Sequence, residues 1–127
     1  MKNSVLHFHW LPRILAILGI LFISIFALDA FTPDKSLLDQ IRDFLIHLIP
    51  SFILLILLIL SWRYELTGGI LFLIIGLLFI PLVYSMNYTR TNSFWISAGI
   101  VCTINLPFVI VGILFILSYK KTKKLSR

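Results

Sequence analysis

Residues 44–61 read FLIHLIPSFILLILLILS, and between Ser51 and Ser61 the run contains nothing but Leu, Ile and Phe. The run does not alternate between apolar and polar side chains, so it does not fit a barrel strand. It is 18 residues long. An unbroken apolar run of this length reads as a transmembrane helix, because a helix satisfies its own backbone polar groups where no water is present. Working outward, three further stretches have the same character: residues 12–31, 66–84 and 94–118. The expected fold class is therefore all-α, a bundle of four transmembrane helices forming a single membrane domain over residues 1–127, with a basic tail at 119–127.

Composition supports this reading. Of 127 residues 60% are hydrophobic and 13% are charged. A soluble domain usually carries about 25% charge to cover its surface. The four spans leave only short loops, so no separate soluble domain is expected. A cleaved signal peptide at the start is disfavoured, because Leu28-Asp29-Ala30-Phe31 is a poor cleavage site. Local punctuation suggests the helix ends. Pro12 suits a first helical position, Thr32-Pro33 an N-cap and first residue of the second helix, and Gly68-Gly69 a tight link between spans two and three. Residues 85–93 read as the loop between spans three and four. Leu37, Leu38, Ile41, Phe44 and Leu45 share a face ahead of span two, as an interfacial amphipathic turn does.

With an even number of spans both termini lie on one side. That side carries Lys2, Arg13, Arg63, Lys120, Lys121, Lys123, Lys124 and Arg127; the other carries Lys35, Arg42 and Arg90. The excess of Lys and Arg places both termini in the cytoplasm. Trp10, Trp62, Tyr64 and Tyr119 then mark the inner interface, and Tyr84, Tyr88 and Trp95 the outer one. The formal net charge is +6, yet the first 119 residues carry six basic groups against five acidic ones. The rest of the excess lies in Lys120–Arg127, directly after a span. Such a run reads as a topology signal that touches anionic lipid headgroups, not as a nucleic-acid site.

Ionisable groups in or beside spans are the functional candidates. At about 100° per residue, Asp43, His47, Pro50, Ser51, Ser61 and Glu65 fall on one side of the second helix, with Leu54 and Leu58 between them. This face is expected to point into the bundle, as helix–helix packing or, alternatively, as a proton or ion path. Asp29 and His47 share a depth near the outer face and are expected either to bond or both to reach interface water, with Asp43 as a competitor for His47. Arg13 and Glu65 share a depth at the inner face and are expected to form an ion pair, the alternatives being that Glu65 pairs with Lys120 or Lys121 or faces water. Asn105 lies on a stripe of span four with Ala98, Cys102 and Gly112, suited to close packing and an interhelical hydrogen bond. Ala16, Gly19, Ala27 and Ala30 form such a stripe on span one, and Gly69 and Gly76 on span three.

No catalytic residue, metal site or cofactor is expected. The single cysteine, Cys102, excludes chemistry that needs cysteine pairs. His7 and His9 lie far from His47, and there is no Gly-rich phosphate loop, no H-E-x-x-H and no nucleophile elbow.

The segments Pro12-Arg13-Ile14-Leu15-Ala16-Ile17-Leu18, Phe26-Ala27-Leu28-Asp29-Ala30-Phe31, Phe44-Leu45-Ile46-His47-Leu48-Ile49-Pro50 and Trp62-Arg63-Tyr64-Glu65-Leu66-Thr67-Gly68-Gly69 resemble a family of small prokaryotic multi-span membrane proteins of the domain-of-unknown-function type. The resemblance covers roughly the first 80 residues. It implies an integral membrane protein without an assigned activity. Small four-span drug exporters resemble the chain in size only, since they carry an acidic residue in the middle of span one, where this chain is apolar apart from Ser24.

Together these readings anticipate a non-enzymatic protein of the cytoplasmic membrane, a structural or accessory bundle. Its partners are the lipid bilayer and a second copy or other membrane proteins. The alternative is a homo-oligomeric small transporter or channel subunit using the polar face of helix two.

Overall fold

The computed structural model describes the backbone of residues 2–125 and the side chains of residues 9–124. The side chains of Lys2 and His7, and all of Arg127, lie outside the described residues. Four α-helices follow in order: α1 (Lys2–Ile25), α2 (Leu37–Arg63), α3 (Glu65–Thr91) and α4 (Phe94–Leu125). Each runs antiparallel to the one before and packs on two neighbours, α3 and α4 most extensively. All four are long and apolar enough to cross a membrane.

The helix ends depart from the sequence reading in instructive ways. Pro12 is not a first helical residue: α1 begins at Lys2, and Pro12 lies inside it, buried. After Ile25 the chain tightens into a 3-10 turn, Phe26–Ala30, closed by the Phe31 N–H donating to the Leu28 carbonyl at 3.1 Å. Pro33 disfavours helical backbone at the residue before it. It sits instead in a turn in which the Lys35 N–H reaches the Thr32 carbonyl at 3.3 Å. The cap of α2 is accordingly Ser36, not Thr32. Its hydroxyl accepts from the Asp39 N–H at 3.3 Å and donates to the Asp39 carboxylate at 2.6 Å. The spacing Ser36-Leu37-Leu38-Asp39 is a capping box that outcompetes the proline signal four residues earlier.

Gly68-Gly69 is not a link. The chain reverses at Tyr64 alone, and both glycines lie buried in the first turns of α3. A one-residue connection forces α2 and α3 together just beyond it. A Cβ on Gly68 would stand 2.5 Å from the Ser61 Cα, and one on Gly69 would stand 2.9 Å from the Gly112 carbonyl. The expected loop at 85–93 is likewise helix as far as Thr91. The reversal uses Asn92, in the left-handed region at φ 47°, with its N–H donating to the Tyr88 carbonyl at 2.9 Å. Asparagine tolerates that conformation at a helix end. Helix α4 continues past Ser118 to Leu125, so most of the basic tail is ordered helix.

The core is an aromatic ladder braced by aliphatic side chains. Phe72 of α3 is fully buried and stacks between Phe108 and Phe115 of α4, with centroids 6.4 and 6.0 Å away. Ala16 and Ile20 of α1, Leu54, Leu57 and Leu58 of α2 and Val111 of α4 close around it. The small residues of span one do face inward: Ala16, Ala27 and Ala30 are buried, and a Cβ on Gly19 would touch the Phe108 ring at 3.1 Å. On α4, Asn105 and Gly112 are buried, whereas Cys102 is exposed and does not join the packing stripe.

Backbone proximity at Gly112 generates a prediction. A Cβ there would sit 2.7 Å from the Gly69 carbonyl and from the Leu73 nitrogen, atoms that cannot move aside, while a Cβ on Gly99 meets nothing within 4 Å. Gly112→Ala is expected to destabilise the purified protein by about 1–3 kcal/mol, the range for overpacking. Gly99→Ala is expected to be neutral or to stabilise by up to about 1 kcal/mol through helix propensity. Reversible unfolding in mixed detergent micelles measures both, and an equal response would refute the packing scheme.

Candidate functional site

The largest polar cluster among the described residues gathers α1, α3 and α4 at one end of the bundle. Arg13 of α1 is 1% exposed, which makes it the largest fully buried side chain among the described residues. Its Nη2 donates to Glu65 Oε1 at 2.8 Å, and its Nη1 donates to the His9 carbonyl one turn back along α1. The central guanidinium carbon lies over the Phe115 ring, 5.7 Å from the centroid. The aromatic ladder thus ends on a cation, an arrangement favoured by the ring quadrupole.

Glu65 is the first residue of α3, where the unpaired N–H groups of the helix favour a negative charge. Its placement follows from the reversal at Tyr64, which brings it back beneath the end of α2. His9 Nδ1 lies 2.7 Å from the same Oε1 that Arg13 engages, and the Ser118 hydroxyl of α4 donates to Oε2 at 3.4 Å. The carboxylate is therefore tied to α1 twice and to α4 once. Sequence reasoning placed Arg13 and Glu65 at one depth. It missed His9 and Ser118 as their partners. The available signal for His9 was its spacing four residues before Arg13, which puts both on one face of α1.

The remaining candidates are dispersed. Asp29 and His47 do not bond. Asp29 is exposed and makes no hydrogen bond or ion pair among the described residues, and His47 Nδ1 lies 2.7 Å from the Asp43 carbonyl. That nitrogen must carry the proton, since a carbonyl only accepts. Of the two expected outcomes, a bond or both groups reaching outward, the second holds: Asp29 stands about 120° from the inward stripe of span one, and the 3-10 turn keeps it there. Residues three apart eclipse there. Ala27 and Ala30 take the inward face together, and Asp29 turns outward. Asp43 pairs with Lys35 at 2.5 Å near the surface. That hydrogen bond to the carboxylate holds the Lys35 ammonium above its ordinary pKa.

The polar face expected on the second helix is divided. Ser51, Leu54, Leu58 and Ser61 face inward, His47 and Pro50 face outward, and Glu65 belongs to the next helix. One serine pair joins two helices, and a second serine bonds within its own helix. The Ser24 and Ser51 hydroxyls lie 3.0 Å apart, joining α1 to α2, and Ser61 donates to the Leu57 carbonyl at 2.6 Å. Asn105 joins α3 to α4 by donating to the Gly76 carbonyl at 3.1 Å, and the absent side chain of Gly76 leaves room for Val109, which a Cβ there would meet at 2.9 Å. Arg13 Nε and Asn105 Oδ1 are buried without a partner among the described residues. No group of three or more His, Cys, Asp or Glu able to hold a metal ion occurs among those residues.

Comparison with known proteins returns one family. A family model described as a domain of unknown function (DUF7670) matches residues 1–127. No curated protein and no solved structure matches the chain.

The geometry of the cluster yields a sharp expectation. Removing one partner of a buried ion pair strands the other and costs about 3–5 kcal/mol, whereas replacing both with apolar residues is often close to neutral. Arg13→Leu and Glu65→Leu should each lower the unfolding free energy in detergent by an amount of that order, and the double variant should lose less than either single one. In contrast, Asp29→Asn and His47→Ala should add, since the two groups do not meet. Additive losses at Arg13 and Glu65 would contradict the pairing.

Proposed function

The chain belongs to the DUF7670 family, and we propose that it works as a structural or accessory bundle in a membrane, with a dry interior and no catalytic role. One observation carries this reading: the layer between the two polar ends is filled. Phe72, Phe115, Val111, Leu58 and Leu54 are each at most 6% exposed and lie between the Arg13–Glu65 cluster and the Ser24–Ser51 contact. A conduit needs a continuous polar or hydrated lining, and side chains packed to this degree leave no room for one.

The buried ion pair fits a structural role. Desolvating two charges is costly, so the pair adds little net stability. What it adds is a unique arrangement of the four helices. On this reading the protein presents its outer apolar surface to lipid and to other membrane proteins or a second copy of itself. Both termini lie in the cytoplasm of a prokaryotic cell, and the membrane is the cytoplasmic one.

Single cysteines at Ser51, Leu54, Leu58 and Ser61, in a Cys102→Ser background, test this reading. Probed in intact membranes with a membrane-impermeant thiol reagent, all four should remain unlabelled, while Asp43→Cys near the outer end should react. Labelling that continues through Leu54 and Leu58 would replace the structural reading with that of a conduit. A C-terminal reporter active only outside the cytoplasm should stay silent; a strong signal from it would reverse the orientation.

A further inference from the structure

The continuation of α4 to Leu125 gives the basic tail a fixed geometry. At about 100° per residue, Lys120 and Lys124 are one turn apart on the same side of the helix. That side is opposite the buried stripe of Phe108, Val111, Phe115 and Ser118. Both lysines are exposed, and neither makes an ion pair among the described residues. In line with them toward the middle of α4 lie Leu106, Ile113 and Leu117, which are 51%, 43% and 43% exposed. The outer face of α4 therefore presents an apolar track that ends in two ammonium groups.

No described carboxylate faces Lys120 or Lys124. The described carboxylate here, Glu65, is consumed by Arg13 and His9, while Asp29, Asp34, Asp39 and Asp43 all lie at the other end of the bundle. We infer that this face of α4 binds an anionic phospholipid. Its acyl chain lies along Leu106, Ile113 and Leu117, and its phosphate sits between the ammonium groups of Lys120 and Lys124. The separation of charge along the helix matches that of such a lipid, apolar below and anionic above. A free phosphate would use only the upper half, and the apolar half favours the lipid. This inference depends on the bundle lying in a membrane but not on its being structural, and a conduit could carry the same site.

Spin-label spectroscopy on the full chain reconstituted in phosphatidylcholine vesicles tests it, with a trace of spin-labelled phosphatidylglycerol or phosphatidylcholine as probe. The motionally restricted population should favour phosphatidylglycerol. A lysine near an anionic headgroup is worth about fivefold in association, so K120Q and K124Q should each remove about that factor and the double variant should abolish the preference. Both lysines are exposed, and unchanged helicity of the variants confirms their folding. K35Q/R42Q, altered at the opposite end, should keep the preference, and inorganic phosphate should displace the lipid no better than chloride at equal ionic strength. Absence of a preference in the unaltered protein, its survival in K120Q/K124Q, its loss in K35Q/R42Q, or displacement specific to phosphate would each overturn the proposal.

Discussion

The arrangement of the helices turns on one buried guanidinium. Arg13 enters the bundle with 1% of its surface exposed. A charge so placed is tolerated only where its partners are fixed. Those partners come from every direction: Glu65 from the reversal that joins α2 to α3, the Phe115 ring from α4, and the His9 carbonyl from α1 itself. Sliding α1, α3 or α4 by a turn would strand the cation. The interaction therefore selects one arrangement among many apolar packings of similar energy. Leu- and Ile-rich helices would not select it by themselves.

The glycines make that arrangement reachable. Gly68 lets α3 fold back against Ser61 after a single connecting residue, and the pairing of Gly69 with Gly112 brings the backbones of α3 and α4 into contact. With α3 and α4 so close, Phe72 can fill the space between Phe108 and Phe115, and the ladder delivers Phe115 to Arg13. Close approach, aromatic stacking and the ion pair form one chain of dependence. In apolar surroundings helices gain little from burying apolar surface against each other, and association rests on packing and on the few polar contacts. Ser24 with Ser51, and Asn105 with Gly76, are two more such contacts.

What was legible in the sequence follows from which physical signals are local. The four spans were readable because a long apolar run has one stable backbone solution in lipid. Arg13 and Glu65 were readable as a pair from depth alone, because antiparallel helices of known rise place their ends at matching levels. The helix ends were less legible because signals competed. Thr32-Pro33 and Ser36…Asp39 both announce a start, and only the reciprocal side-chain bonds of Ser36 decide between them. Gly68-Gly69 looked like a turn because glycine serves both turns and close approach, and the sequence does not distinguish the two uses. Asp29 and His47 do not meet because a shared depth fixes only the level along a helix: Asp29 stands about 120° from the inward stripe of span one, and His47 turns outward on α2. Cys102 was misplaced because a stripe of small residues need not all face the same neighbour.

Nitrogen-detected solid-state magnetic resonance on the isotopically labelled protein in bilayers tests whether Arg13 and Glu65 are locked together away from water. Resolved, slowly exchanging Nη signals are expected for Arg13, with a close dipolar contact from Nη2 to the Glu65 carboxyl carbon, as the 2.8 Å hydrogen bond requires. Averaged Nη signals in fast exchange with water, with no contact to Glu65, would contradict that arrangement.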